Sequence, residues 1–461
     1  MTTTYDPFHP KYFDASDLRQ ELDRVYDLCH GCRLCFKFCT AFPTLFDAID
    51  QHDDQDSAKL TDAERHQVVD ECFNCKLCYV NCPYIPGQHE WELDFPRLML
   101  RAEQVLHRER PRSLKDKVTD QALGRTDLAG RVNTAPVVND VVNKVVTAPG
   151  SVGRKVLEKV AGIASQRVLP PYTRERFATW WKKRTALRFG AGPGGKQGRA
   201  VLFPTCMVEY QAPEVGRDLV RVLEHNKVEC ELPAGQVCCG APWLHSGDLD
   251  NFRRHATKNV GVLAGAIRAA QAAGDDPAVV VPQPTCSYVL KKDYPDYLSG
   301  KDADMLPGGG ASQAADAAVV AAHTYDAAEY LMKVHKAEGT SLDTTFPGEV
   351  PATVTYHAPC HLRAQNIGLR SRDLMKLTGA KIAVVAECSG IDGTWGYRQE
   401  NYEASRKVAR KMAKAIDKHD SEAVAGDCHL ANGGIVQETG RTPVHPVSLV
   451  ARAYGIPADG A

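Results

Sequence analysis

Long apolar runs are what this 461-residue chain lacks. The longest stretch without Asp, Glu, Lys or Arg is 232–247. It carries Pro233, Pro242 and two adjacent cysteines, and it is too short to cross a bilayer as a helix. The opening MTTTYDPFHPKYFD has neither a basic region nor an apolar one, so no secretory leader is read there. The chain is therefore expected to be cytoplasmic and soluble, or peripheral on the cytoplasmic face of a membrane through its partners. No G-x-G-x-x-G follows a predicted strand, so flavin or nicotinamide is expected on a partner chain. No basic, aromatic-interleaved groove motif appears, which excludes nucleic acid as the expected partner.

Net charge is also nearly absent, at −1, but it is unevenly placed. Residues 1–100 hold nine Lys/Arg against eighteen Asp/Glu; residues 101–184 hold eighteen against eight. An acidic head followed by a basic neck suggests docking surfaces.

Cysteine is what the chain has in excess, sixteen in all. In a chain without a leader these are expected to be metal ligands in a reducing compartment, not a disulfide framework. Residues 29–39 read CHGCRLCFKFC and residues 72–82 read CFNCKLCYVNC, both with spacing C-x2-C-x2-C-x3-C. Structural zinc usually takes two well-separated C-x2-C pairs and fits this badly. Three cysteines at this spacing wrap one 4Fe–4S cubane, and the fourth of each run ligates the other cluster. Cys29, Cys32, Cys35 and Cys82 are thus assigned to one cluster, and Cys72, Cys75, Cys78 and Cys39 to a second. Zinc and disulfides are the alternatives.

The fold class expected is α+β multidomain: a helical two-cluster ferredoxin domain followed by two tandem α/β domains. Residues 1–100 form the first unit, since the polar, helix-compatible 47–71 is long for a compact ferredoxin. Residues 101–198 form a basic, amphipathic helical connector. In it, Val137, Val138, Val141, Val142, Val145 and Val146 make one apolar helix face, stopped by Pro149–Gly150. Leu157, Val160 and Ile163 make a second face, and Trp180, Trp181, Lys182, Lys183 and Arg184 follow. These faces pack on the protein's own core, or meet another protein or a membrane surface, where Trp and Lys/Arg sit together. FGAGPGGKQG (189–198) reads as a flexible linker, and LPGGGAS (306–312) as another loop.

From 199 the pattern alternates short apolar strands with amphipathic helices. Strands are expected to end in Cys206, Cys286, Cys360 and Cys428, a strand runs into Cys388, and QVCCG (236–240) makes a turn. Cys206 to Cys360 is an offset of 154, Cys238 to Cys388 of 150, and Cys286 to Cys428 of 142. Such offsets argue for an internal duplication, with 199–345 and 346–461 as the two copies and cysteines gathered at strand carboxyl ends. Cys206, Cys238, Cys239 and Cys286 suit a cluster of several irons, because adjacent cysteines diverge around a single zinc. Inert thiols or a vicinal disulfide are the alternative. In the second copy Ser389 replaces the counterpart of Cys239, leaving Cys360, Cys388 and Cys428 with His357, His361 and His429 adjacent. Three thiolates and one imidazole, His361 being the one named, hold zinc or iron; an open-cornered cluster and a metal-free site are the alternatives.

These residues together resemble the heterodisulfide reductase-like cysteine-rich (CCG domain) iron-sulfur subunits. The likeness is greatest to C subunits of anaerobic glycerol-3-phosphate dehydrogenases and to glycolate oxidase iron-sulfur subunits. It is carried by the double cluster motif, YHAPCHLR (356–363), GIDGTWGYRQENYEASRKVARKM (390–412) and the neck from GRTDLAGR to LPPYTRERFATWW. The resemblance implies an electron-transport subunit of an oxidoreductase. It takes electrons from a flavoprotein dehydrogenase and passes them through two 4Fe–4S clusters and a CCG-domain site toward quinone. The family's noncubane pattern has one more cysteine where this chain has Val289, so one further cluster, at the first CCG site, is expected. Two rival expectations stand beside this: a disulfide or thiol reductase acting at the first CCG site, and a scaffold with structural zinc in its C-terminal half.

Overall fold

The computed structural model describes residues 5–190, 194–298, 311–391 and 393–458. The N-terminal part is helical. Helix Ala15–Cys32 starts where the Asp14 side chain accepts from the Asp17 N–H at 2.8 Å, and stops where Arg33 turns left-handed at φ 53°. Helix Asp62–Asp70 opens on a capping box between Thr61 and Glu64. With helices Ala41–Asp50 and Phe95–Glu109 they bury Val25, Tyr26, Phe42, Leu45, Phe46 and Leu98. Two of the cations in this core are paired. Arg65 meets Asp23, and the fully buried Arg101 donates to the Tyr12 carbonyl and to Asp17.

The neck forms helices Leu114–Gly124, Thr126–Asn133, Pro136–Val146, Val152–Ala161 and Phe177–Lys183. Pro136 sits at a first helical turn, where its missing N–H costs nothing. The valine helix is found as expected, but of its valines only Val146 is buried, and Val137 is 81% exposed. The second predicted face is corrected: Ile163 lies beyond the helix end at Gly162 and bridges to Arg398 as a buried residue. The stripe left open on that helix is Val152, Val156 and Val160. Trp180 and Trp181 settle on the protein's own core, beside Phe177, with Arg184 over both rings. The predicted linker is partly tied down: the Phe189 N–H and Lys196 both bind Glu229, and Gly198 already belongs to a strand. Residues 191–193 of that stretch lie outside the described residues. So does 306–310 of the predicted LPGGGAS loop, and Ala311 opens a helix.

Two all-parallel sheets follow. β1 (Gly198–Leu202), β2 (Val228–Glu231), β3 (Pro277–Val281) and β4 (Thr324–Asp326) lie in the order β2-β1-β3-β4. β5 (Thr353–His357), β6 (Lys381–Val385) and β7 (Ala423–Gly426) lie in the order β6-β5-β7. Each copy puts its first strand centrally, its second on one flank and its third on the other, which is the duplication expected from the cysteine offsets. The copies share a core: Val447, Val450 and Ala451 of the helix Pro446–Ala453 pack with Leu219, Val222 and Leu223 of the first copy.

The strands stop short of the cysteines. β1 ends at Leu202, and Cys206 lies on the helix Thr205–Tyr210; β3 ends at Val281, and Cys286 lies on the helix Pro284–Tyr288. Cys360 opens the helix Cys360–Ala364, Cys428 precedes the helix His429–Thr439, and Cys388 is in a loop. Proline is the reason in three of these cases. Pro204, Pro282, Pro284 and Pro359 lack the N–H that would continue a ladder.

Candidate functional site: four groups of cysteines in series

No disulfide joins the sixteen cysteines, and all but Cys230, which is buried in β2, fall into four groups. Cys29 and Cys32 occupy the last turn of the first helix. Burial raises the Cys29 thiol above its ordinary range, and Cys35, Cys82 and Cys32 raise it further. The Tyr84 N–H points at the Cys82 sulfur, at 3.4 Å. Cys39, Cys72, Cys75 and Cys78 form the second group. Burial pushes Cys78 well up, with Cys72, Cys35 and Cys39 adding to it. Asn74 and Lys76 flank Cys75 in left-handed conformations (φ 51° and 63°), which fold the chain into a tight turn around Cys75. Cys82 neighbours Cys29 and Cys35, Cys39 neighbours Cys72, and Cys78 stands near cysteines of both runs.

The third group is Cys206, Cys238, Cys239 and Cys286. The Cys239 and Cys286 sulfurs are 3.3 Å apart. Hydrogen bonds from the Cys206 and Cys239 thiols hold the Cys238 thiol well below its ordinary range, helped by Thr126 and the Gly240 N–H. Thr205, before Cys206, takes φ 72°, a strained position for a β-branched residue. Gly240, after Cys239, takes φ 90°, and a Cβ there would stand 2.9 Å from Phe252. The neck supplies a residue that sequence reasoning missed: Asp127 accepts from the Cys238 N–H at 2.7 Å. Tyr294 and Asn259 hold the Cys239 and Cys238 carbonyls at 2.9 and 3.1 Å. Val289, where the family pattern has a cysteine, is buried in the hydrophobic core.

The fourth group is Cys360, Cys388 and Cys428, which line one small cavity together with His357, His361 and Ser389. The Gly390 N–H donates to the Cys388 sulfur at 3.3 Å. Gly390 takes φ 68°, and a Cβ there would stand 2.2 Å from the Ser405 carbonyl oxygen. Burial drives the imidazoles of His357, His361 and His429 down to about 4, so each is neutral. His357 and His429 each keep one buried ring nitrogen, Nδ1 and Nε2, with no hydrogen-bond partner, and His361 does not. His361, named from the sequence as the ligand, has both ring nitrogens in hydrogen bonds: Nδ1 with the Thr285 hydroxyl at 2.9 Å and Nε2 with the Asn74 carbonyl at 3.1 Å. His357 Nε2 meets the Glu387 carbonyl at 2.9 Å, while its Nδ1 is buried with no hydrogen-bond partner. Among the described residues, no three His, Cys, Asp or Glu side chains close around a single metal ion.

The groups adjoin one another. Cys75 of the second group is raised by burial and then most by Cys360 and Cys388 of the fourth. Phe73, Cys75 and Leu77 pack with Cys360, Cys388 and Trp395, and the Phe73 and Trp395 rings are 5.0 Å apart. His361 joins the loop of Cys75, through Asn74, to Thr285 beside Cys286 of the third group. Gln365 donates to the Ser287 hydroxyl at 2.8 Å and to the Pro284 carbonyl at 3.2 Å, across the same contact. Asn74, Thr285 and Gln365 carry no motif signal and are found only through the structure.

Comparison with known proteins bears on the same residues. Residues 200–291 and 354–430 each match the cysteine-rich (CCG) domain family. The chain is 27% identical over 335 residues to the C subunit of anaerobic glycerol-3-phosphate dehydrogenase from Escherichia coli (strain K12), covering 72% of this chain and 76% of that protein. It is 29% identical over 244 residues to the B subunit of fumarate reductase (CoM/CoB) from Methanothermobacter marburgensis, covering 52% of this chain and 41% of that one. It is 28% identical over 249 residues to lactate utilization protein A of Oceanobacillus iheyensis, covering 52% of this chain and 90% of that one.

Proposed function

We propose that this chain is an iron-sulfur electron-transfer subunit, taking electrons from a partner flavoprotein dehydrogenase and passing them to an acceptor such as quinone. The similarity to named subunits of a dehydrogenase and a reductase supports the coarse reading. In this reading residues 1–100 are a ferredoxin-like unit. Cys29, Cys32, Cys35 and Cys82 hold one 4Fe–4S cluster, and Cys39, Cys72, Cys75 and Cys78 the other. Cys206, Cys238, Cys239 and Cys286 hold a further cluster, and Cys360, Cys388 and Cys428 a fourth centre. The donor sets suit such groups: three sets of four thiols and one of three, with the Tyr84 and Gly390 N–H groups aimed at the Cys82 and Cys388 sulfurs. When bound, these clusters supply the one-electron carriers. The protein sets their spacing, excludes water and tunes their potentials through burial and hydrogen bonds.

The observation that carries the proposal is the continuity of the groups. Cys78 of the second group is raised by Cys35 and Cys29 of the first, Cys75 by Cys360 and Cys388 of the fourth, and His361 bonds both Asn74 beside the second and Thr285 beside the third. In this reading the order is first, second, fourth, third, with the degenerate copy as a relay between the paired clusters and the Cys-Cys-Gly site. The neck's exposed valines and basic excess are where this reading places partner or membrane contact. No helix among the described residues is long and apolar enough to cross a membrane.

The test is electron arrival at the third group, followed by freeze-quench EPR after mixing the chain with a low-potential donor. Cys360→Ser is expected to keep the signals of the first two groups and to slow reduction of the third at least tenfold. An unchanged rate contradicts the route. Oxidation of glycerol 3-phosphate or a hydroxy acid by the purified chain alone contradicts the electron-transfer role. A second reading, disulfide reduction at the third group, is favoured by the 3.3 Å separation of the Cys239 and Cys286 sulfurs. Turnover of a model disulfide that disappears in Cys239→Ser supports it, and no turnover in the loaded chain removes it.

A further inference from the structure

The fourth group has three thiols where the third has four, and Ser389 stands where the fourth thiol belongs. We propose that His357, through Nδ1, is the remaining protein ligand of the centre held by Cys360, Cys388 and Cys428, giving an iron-sulfur centre with one imidazole-bound iron.

The geometry separates His357 from the other histidines. It ends the central strand β5 and stands three residues before Cys360, so His357 and Cys360 form an H-x2-C pair of the spacing found in metal sites. Its side chain lines the cavity that Cys360, Cys388 and Cys428 also line. Its Nε2 donates to the Glu387 carbonyl at 2.9 Å, which leaves Nδ1 as the bare lone pair. That lone pair is buried and unpartnered, a cost that a native core ordinarily avoids and that a metal bond removes. Imidazoles that bind metals characteristically give their other N–H to a carbonyl or carboxylate, which fixes the ring as the Glu387 carbonyl does here.

The other imidazoles are excluded by their bonds or their place. His361 uses both nitrogens to join Asn74 and Thr285. His445 accepts from the Val447 N–H at Nδ1 and meets the Pro282 carbonyl through Nε2. His429 Nε2 is likewise buried without a hydrogen-bond partner, but His429 does not line the cavity. An imidazole in place of a thiolate removes negative charge from a cluster and raises its reduction potential. A relay placed after two all-cysteine clusters then draws electrons forward.

This inference rests on the reading that the fourth group holds a centre, and the experiment separates the two. Full-length chain is purified anaerobically with 15N-labelled histidine, reduced, and examined by electron–nuclear double resonance. The signal of the fourth centre is identified by its loss in Cys428→Ser. Wild-type protein is expected to show a directly bonded histidine nitrogen on that signal. His357→Cys is expected to keep the iron, lose the nitrogen coupling and titrate at lower potential. His361→Gln is expected to keep the coupling. Coupling that survives in His357→Cys, or vanishes in His361→Gln while the centre remains, overturns the assignment. So does a fourth centre with no coupled nitrogen. A wild-type chain with no signal sensitive to Cys428→Ser overturns the fourth centre itself, and the assignment with it. Retained signals of the first two groups certify that each variant is folded.

Discussion

At the scale of single residues, the cysteine-bearing loops are held by polar groups that no motif marks. Asp127 reaches from the neck to the Cys238 N–H. In Asp127→Ala that partly buried donor loses its partner, which costs about 1–3 kcal/mol. The expected result is a lower urea midpoint together with faster loss of iron from the third group; an unchanged midpoint contradicts the role. Glu103 is a second such case. It lines a cavity of about 340 Å³ beside Cys72, and its carboxyl has no hydrogen-bond or ion-pair partner among the described residues. Burial, then Asp70 and Asp120, push that carboxyl up to about 7, against Arg398 and Arg112, which act to lower it. A folded-state value above the unfolded one means that the native state holds the extra proton, so stability falls as pH rises from about 4.3 to 7. Glu103→Gln removes this slope. Urea melts at pH 5 and pH 8 should show the variant gaining on wild type at the higher pH, and an equal difference at both would refute it.

Legibility also differs residue by residue. The two cysteine runs of the N-terminal part stand out in the sequence because their spacing is itself the signal. The choice between His357 and His361 does not, because it depends on which ring nitrogen already has a partner. The sequence places both beside Cys360 and gives no sign that Thr285 and Asn74, 76 and 287 residues away, occupy His361.

At the scale of elements, the parallel strands were readable from their apolar runs, and their ends were not. Prolines break the ladder before each of Cys206, Cys286 and Cys360, so those cysteines ride on the first turn of a helix. The loop after β6 shows how strictly such an end is built. Gly390 is left-handed and lies against the backbone of the helix Tyr402–Asp417 at Ser405. Gly390→Ala sets a Cβ 2.2 Å from a carbonyl oxygen, with no flexible side chain to yield. The loop holding Cys388 must then shift. The variant is expected to lose about 2 kcal/mol of stability or more and the iron of the fourth group, while a wild-type melting curve would contradict the packing described. In the neck, periodicity found the valine helix correctly, but it cannot tell a face that meets the core from one that meets solvent. Trp180 and Trp181 joined the core; Val137, Val152, Val156 and Val160 did not. Val156→Ser should therefore change the stability read from urea melts by no more than about 0.5 kcal/mol.

At the scale of the whole molecule, the duplication explains the layout. Two copies of one parallel-sheet plan each deliver three cysteine-bearing loops to the same edge, and the helical N-terminal unit lays its second cysteine group against one of them. The offsets between cysteines made the duplication readable. The side-by-side placement of the groups was not readable, because it depends on contacts such as Trp395 with Phe73 and His361 with Asn74, which join residues hundreds of positions apart. In the proposed reading the molecule is a line of centres, and its role as an electron carrier stands on all of them being filled. Iron and acid-labile sulfide counted per chain, on anaerobically purified full-length protein, test this most directly. At four irons per cubane the account predicts clearly more than eight of each, about twelve or above. About eight of each, with zinc or nothing in the C-terminal half, would contradict it.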